Sequence, residues 1–473
     1  MQESPVYEVV IGLEIHAQLA TKSKLFCGDS ISFGAAPNSQ VSAISLAHPG
    51  TLPKTNRQAV ALAVQLGLAC NCEIEQENYF ARKNYFYPDL PKGYQISQHT
   101  SPICKGGFIS ITTSTGTRDI QLNRIHLEED AGKSLHDQDP RRSFIDLNRA
   151  GTPLVEIVTE PDIHSAEEAA QFVTEIRKLV RWLGVSDGNM EEGSLRCDAN
   201  ISLRPKGTPR LGTKVEVKNL NSIRHLKKAI EYETVRMTDL LLKGQLIQQQ
   251  TRTFSLRNKE EANDYRYFPD PDLAPFTITE AYLTQLRANM PELPQHLQER
   301  FLQIDGLTSY DARQLSEEIS TARFFEATVQ VCQHPKAIAN WILGPIKQWM
   351  NEHSTDDVSF PISPAALAEL IELVESGQLN FSVASGKLLP AIISTQRNAR
   401  QLAVEMNLLQ TNEAAELSAW IDQVLKRMPE KVQEYKKGKK GLIGLFVGEV
   451  KKLSAGKANP QEVTRLLEEQ LNQ

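Results

Sequence analysis

The chain has 473 residues, enough for two to four domains, and its 40% hydrophobic and 23% charged residues are ordinary for a folded protein and exclude wholesale disorder. Lys and Arg number 52 against 58 Asp and Glu; the net charge of −6 excludes a globally basic nucleic-acid coat but not a local basic surface. No apolar run approaches the roughly 18 residues of a membrane span, Met1-Gln-Glu-Ser-Pro5 has no secretory pattern, and six scattered cysteines make no disulfide framework, so a soluble, cytoplasmic, multidomain protein is expected.

From the N-terminus to about Pro294, short β-like runs alternate with Gly, Pro and Asn punctuation. Val9–His16, Asn123–Glu128 and Leu195–Ile201 alternate apolar and polar residues, the mark of half-buried strands. One helical pattern interrupts them, from Ser165 to Leu183, with a capping-box signature in Ser165 and Glu168. The mixture predicts an α+β domain of roughly 290 residues. Beyond Met290-Pro-Glu-Leu-Pro294 the period changes from two to 3.6, and helices are predicted over 312–332, 336–350 and 364–375. A third segment begins near Gln410, with helices predicted over 414–427, 442–453 and 460–471.

The strand-rich region carries acids where stability alone would not put them. Glu14 and His16 are two apart on an apolar strand, so they share a face opposite Leu13 and Ile15. Glu128-Glu129-Asp130 end a second strand, before a turn at Gly132-Lys133. Glu156 sits inside Leu154-Val-Glu-Ile-Val158, a run otherwise suited to full burial. Arg196, Asp198 and Asn200 share a face opposite Leu195, Cys197 and Ala199, and Lys214, Glu216 and Lys218 alternate in the same way. A carboxylate in an apolar strand is costly unless paired or bound to metal. Taken singly each reads as a solvent-facing residue; together they suit hard, oxygen-preferring cations such as Mg²⁺ and their phosphate ligands.

Two other patterns carry little. Gly132-Lys133-Ser134 looks like the end of a phosphate-binding loop, but Leu127 stands where the first glycine belongs and three acids precede it. Cys70 and Cys72 have no second pair at zinc-site spacing.

Val10–His16, Arg82–Asp89, Glu128–Ser134, Asp146–Glu156, Met190–Asn200 and Asp264–Pro269 together resemble the successive signatures of one family, the GatB subunit of the glutamine-dependent aspartyl/glutamyl-tRNA amidotransferase. Gly441–Gly448 and Gly456–Pro460 resemble its tail, shared with YqeY-like proteins, so the resemblance covers essentially the whole chain. It implies a cradle-like catalytic domain over 1–293, a helical domain over 294–409 and a tRNA-binding tail over 410–473. It also implies ATP-dependent phosphorylation of the side-chain carboxylate of misacylated Glu-tRNA(Gln) or Asp-tRNA(Asn), followed by displacement of phosphate by ammonia. The implied partners, completing a heterotrimer, are an amidase subunit, which releases ammonia from glutamine, and a small third subunit; no membrane is implied.

Transfer of a phosphoryl group onto a carboxylate brings like charges together, which calls for Mg²⁺. Glu14, His16, Glu128, Glu129 and Glu156 are the expected metal ligands, Asp198 and Asn200 second candidates for holding the nucleotide or its metal. Glu129 is also a candidate catalytic group. Lys83, Lys133, Arg196 and Lys218 are the candidate neutralisers of phosphate or acyl carboxylate. Some family members carry a zinc-binding cysteine set after the first strand; here Cys27 stands alone before His48-Pro-Gly50, and no zinc ribbon is expected.

Between Lys426 and Lys457 ten Lys or Arg face three Glu, a local charge of +7 in an otherwise acidic chain, which favours contact with a tRNA backbone over a merely solvated face. The alternative of a non-catalytic tRNA-binding adaptor predicts basic strands, whereas these are acidic. A stand-alone small-molecule ligase leaves the basic tail unexplained.

Overall fold

The computed structural model describes residues 6–114, 116–139, 141–247, 265–353, 360–410, 414–454 and 457–472. Asp264 and Gly456, each the first residue of a family motif, lie outside them. The chain divides into two compact units, Met1–Leu293 and Pro294–Gln473, the first α+β and the second helical.

A large antiparallel sheet organises the first unit, in the order Val215–Leu220, Leu195–Pro205, Tyr7–Gln18, Pro153–Thr159, Gly116–Glu129, Cys104–Lys105, Glu73–Ile74. Period-two alternation decides what each side does. Leu13, Ile15, Ala17, Ile125, Leu127, Val155, Ile157, Leu195, Cys197 and Ala199 are buried in one core. The helices Arg57–Ala69 and Ala166–Trp182 pack against this sheet assembly, and Ile223–Leu242 packs on the second helix and on the Leu195–Pro205 strand. Burying one such Leu or Ile contributes about 1.5–3 kcal/mol. The core therefore fixes register, because a slip of one residue would expose the whole apolar set of a strand.

Ala166–Trp182 forms as predicted, with the Ser165 hydroxyl accepting the Glu168 N–H at 3.0 Å. Only half of the capping box is present: the Glu168 carboxylate accepts from the His164 N–H at 2.7 Å instead of from Ser165. Three further helices, Arg57–Ala69, Ile223–Leu242 and Glu280–Ala288, escaped the reading of a single helix in this region. The first has no sharp polar stripe, so the period that betrays a helix is faint.

In the second unit the helix predicted over 312–332 is two, Ser309–Leu315 and Ile319–Val329. Buried Ser316 ends the first, its hydroxyl donating to the Arg313 carbonyl at 3.0 Å in competition with the helical ladder. The one predicted over 336–350 runs as Pro335–Trp341 and Lys347–Glu352 around a π-helical turn, Ile342–Ile346; Pro345 inside it has no N–H for a regular bond. Pro364–Glu375 and Ala414–Arg427 match their predicted ranges, and Ile443–Leu453 and Pro460–Asn472 do so within a residue. Leu417, Ile421, Phe446, Val450, Val463 and Leu467 enclose a core of their own within this C-terminal stretch.

Candidate metal and phosphoryl-transfer site

The other face of the sheet is polar, and antiparallel register assembles it row by row. His16 stands opposite Arg196 on one side and Glu156 on the other, and Glu156 in turn stands opposite His126. One row along, Glu14 faces Asp198; the next places Asn200 beside Glu216. In the opposite direction Leu154 faces Glu128. Directly opposed Cβ atoms lie about 4.5–5.5 Å apart, so strands distant in sequence deliver their acids to one place.

Two groups result. In the first, His16 Nε2 is 3.5 Å from Glu128 Oε1 and 3.5 Å from Glu156 Oε2. His126 Nε2 also reaches the group, 3.3 Å from Glu156 and 3.8 Å from Glu128. In the second, ligand oxygens of Glu14, Asp198 and Glu216 lie within 4.8 Å of one another. Asn200 donates to Glu14 at 2.9 Å, and its own carbonyl oxygen is buried without a hydrogen-bond partner.

Charge within the first group is strongly coupled. Burial disfavours ionised Glu156, but His126 and His16 outweigh it and hold the carboxyl well below the usual range. Glu128 is lowered too: burial and the Glu156 charge oppose ionisation, while His126, Lys83 and His16 favour it. Burial likewise works against a charged His16, yet Glu156 and Glu128 raise it to about 9. His126 is shifted upward against burial by the same two carboxylates.

Cationic side chains border the acids. Lys83, on the Ala81–Asn84 strand, is raised against burial by Glu128, Tyr267 and Glu156. Arg196 Nη2 donates to both oxygens of Asp130 at 3.1 Å, and the Gln18 side-chain amide also donates to that carboxylate at 3.1 Å. Lys218 is 2.9 Å from Glu216 and 3.6 Å from Asp198. His16, Lys83, Glu128, Arg196, Asp198 and Lys218 line one cavity of about 360 Å³. Carboxylate oxygens with one imidazole are a donor set that fits hard divalent cations, the size of the cavity fits a phosphate chain, and its rim is cationic.

Two expectations are corrected. Glu129 does not join Glu128, because adjacent strand residues point to opposite faces. Its carboxylate accepts from the Ile96 N–H at 2.8 Å and pairs with Lys92, beside a tight cavity walled by Lys24, Phe26 and Gly151. Lys133 is exposed at the start of the Lys133–Asp139 strand, opposite Asp146, and lines no part of the site. No turn is assigned at Gly132-Lys133: residues 130–132 link two strands irregularly, and Lys133 already begins the second. Gly132 serves close packing there: a Cβ would lie 2.9 Å from the Asp89 carbonyl oxygen. His126, Asp130 and Glu216 were missed as site residues. His126 had a signal, since it is two residues from Glu128 on an alternating strand.

The model of the GatB/GatE catalytic domain matches residues 9–284, and that of the GatB domain matches residues 323–471. The chain belongs to the GatB/GatE family. A relative from Thermodesulfovibrio yellowstonii is 46% identical over 469 residues, covering 98% of each chain. One from Persephonella marina is 45% identical over 474 residues, covering 98% of this chain and 99% of its own. One from Rickettsia bellii is 46% identical over 474 residues and 98% of both. All three are named as the B subunit of aspartyl/glutamyl-tRNA(Asn/Gln) amidotransferase, a designation for one component of a multi-subunit ligase. Among the described residues no helix is long and apolar enough to cross a membrane.

Proposed function

We propose that the polar sheet face is where ATP activates the acyl carboxylate of misacylated Glu-tRNA(Gln) or Asp-tRNA(Asn), and where ammonia completes the amide. The γ-phosphoryl group passes to a carboxylate oxygen and ADP leaves. Ammonia then attacks the carbonyl carbon, phosphate departs, and a carboxylate of the cavity accepts the proton released. The observation that carries this reading is one cavity lined by members of both carboxylate groups, His16 and Glu128 of the first and Asp198 of the second, together with Lys83, Arg196 and Lys218.

Mg²⁺ held by His16, Glu128 and Glu156, and by Glu14, Asp198 and Glu216, would supply charge neutralisation for the triphosphate. His16 must give up its Nε2 proton to bind a cation, so binding weakens as pH falls. Lys83, poised against Glu128 and Glu156, and Arg196, steered by Asp130, position and neutralise the acyl carboxylate. Asn200 orients Glu14. An adaptor without chemistry has no use for this acidic face. Ammonia comes from an amidase partner, with a small third chain completing a cytoplasmic heterotrimer, and residues 410–473 contact the tRNA body.

The test is the reconstituted complex carrying Glu128→Gln or Asp198→Asn. Amide formation should fall by about a hundredfold or more, as for loss of other groups that stabilise developing charge, with glutaminase activity retained. Wild-type turnover in both variants would overturn the reading.

A further inference from the structure

The Tyr265–Pro269 segment, part of a motif that the phosphoryl site does not use, lies against a second cavity of about 610 Å³. Its walls are aromatic. The His99 and Tyr267 rings stack with centroids 4.0 Å apart and planes 13° apart. Tyr265 meets Tyr267 edge-on at 6.0 Å, and Tyr79, Phe268 and Pro269 complete the lining.

The segment is held in place. Phe268 and Pro269 pair with Arg82 and Ala81, and Arg82 bonds Asp270 at 2.9 Å and Asp272 at 2.8 Å. Asn84 receives the turn, donating to the carbonyls of Tyr265 at 3.2 Å and Arg266 at 2.9 Å. Arg266 has φ 44°, a left-handed backbone that a side-chain-bearing residue adopts at a cost. This fixed turn holds Tyr265 and Tyr267 on either side of it.

The cavity also adjoins the phosphoryl site. Lys83 lines the metal-group cavity, and its Nζ lies 5.1 Å from the centre of the Tyr265 ring. An aromatic cleft on one side of a phosphate-neutralising lysine, with the carboxylates on the other, is laid out for a nucleotide: base against rings, phosphate or ribose oxygens toward the lysine.

We infer that this cleft binds an adenine base by stacking on the open face of the Tyr267–His99 pair. The inference rests on the proposed reaction for the identity of the base, since both ATP and the 3′-terminal nucleotide of a charged tRNA carry adenine. The cleft selects the chemistry that they share, and experiment must decide which of them occupies it.

The assembled complex with Tyr267→Leu, Tyr267→Phe or His99→Leu should be assayed for the KM of ATP and the KM of misacylated tRNA. It should also be titrated with ADP and Mg²⁺, and with an RNA minihelix ending in adenosine or lacking that nucleotide. Tyr267→Leu should raise the KM of one substrate about tenfold, the size of one base–aromatic stack. Tyr267→Phe keeps the ring and should stay within about twofold. His99→Leu reports from a different part of the chain, so a folding defect in one variant does not decide the matter. Weaker ADP binding assigns the cleft to ATP. A minihelix that binds wild type more tightly with its terminal adenosine, and the Leu variants equally with or without it, assigns the cleft to the acceptor end. Unchanged KM and unchanged titrations in both Leu variants overturn the inference. Amide formation without ATP by the wild-type complex would instead overturn the phosphoryl-transfer reading, and the minihelix titration would still test the cleft.

Discussion

Replacing Glu156 by Gln removes the negative charge 3.5 Å from His16 and 3.3 Å from His126 while keeping the side chain's shape. His16 is raised to about 9 with Glu156 as its main attractive partner, against an ordinary value of 6.5. A histidine raised on folding contributes stability that is fully present below its unfolded value and lost as pH rises through its folded one. At 1.36 kcal/mol per unit, the metal-free chain gains about 2 kcal/mol from this proton at pH 7.5, about 3 at pH 6 and almost nothing at pH 9.5. Glu156→Gln should forfeit most of that, with Glu128 retaining a share and the upward shift of His126 adding in the same direction. Urea unfolding of wild type and variant in chelator, at pH 6, 7.5 and 9.5, measures it directly. The difference should shrink steadily toward alkaline pH. A penalty that stays constant across that range would refute the ion-pair account and make Glu156 a packing residue.

Four other outcomes follow from the geometry. Glu129→Gln should leave Mn²⁺ or Mg²⁺ affinity unchanged, whereas Glu128→Gln lowers that affinity; equal losses in a cation titration would mean that the two acids share a site. Arg196→Lys can keep one nitrogen on the two Asp130 oxygens, as Nη2 does, but loses the guanidinium's further N–H donors in the cavity, and should cost about tenfold in kcat/KM with little change in unfolding midpoint. Lys436→Ala with Lys437→Ala, both exposed, should raise the KM for tRNA and reduce the salt slope by about 1.4–1.8, at about 0.7–0.9 for each phosphate no longer neutralised; an unchanged slope makes these lysines solvated surface. The chain assayed alone should release no ammonia from glutamine, and ammonia release would contradict the assignment of that step to the amidase partner.

Alternation along single strands made part of the site legible in the sequence. It placed Glu14 with His16, and Arg196 with Asp198 and Asn200, because the side-chain period of two is a local property. Which strands lie side by side is not local. Pro153–Thr159 pairs with Tyr7–Gln18 across some 140 positions of chain, and only this pairing sets Glu156 opposite His16. Without it, Glu128 and Glu129 were equal candidates, and the division of the carboxylates into two groups was invisible. Lys133 was a candidate as a cation next to the acids that end a strand, although it begins a separate two-stranded sheet. The helices read best where a polar stripe or an N-terminal proline marked them, as in Pro364–Glu375, and worst where burial on most sides erased the stripe, as in Arg57–Ala69.

Glu128 and Glu129, neighbours on one strand that serve opposite sides of it, make the length of the chain before them unforgiving. Deleting a single residue between Leu122 and Leu127 would carry Glu129 into the place of Glu128 only by turning the other side chains of the strand inside out. Families of variants can therefore be screened by length alone. Insertions and deletions should be tolerated in the hairpin formed by Lys133–Asp139 and Arg142–Asp146, which stands outside the main sheet, and should be lethal to amide formation in the stretch that delivers the two acids.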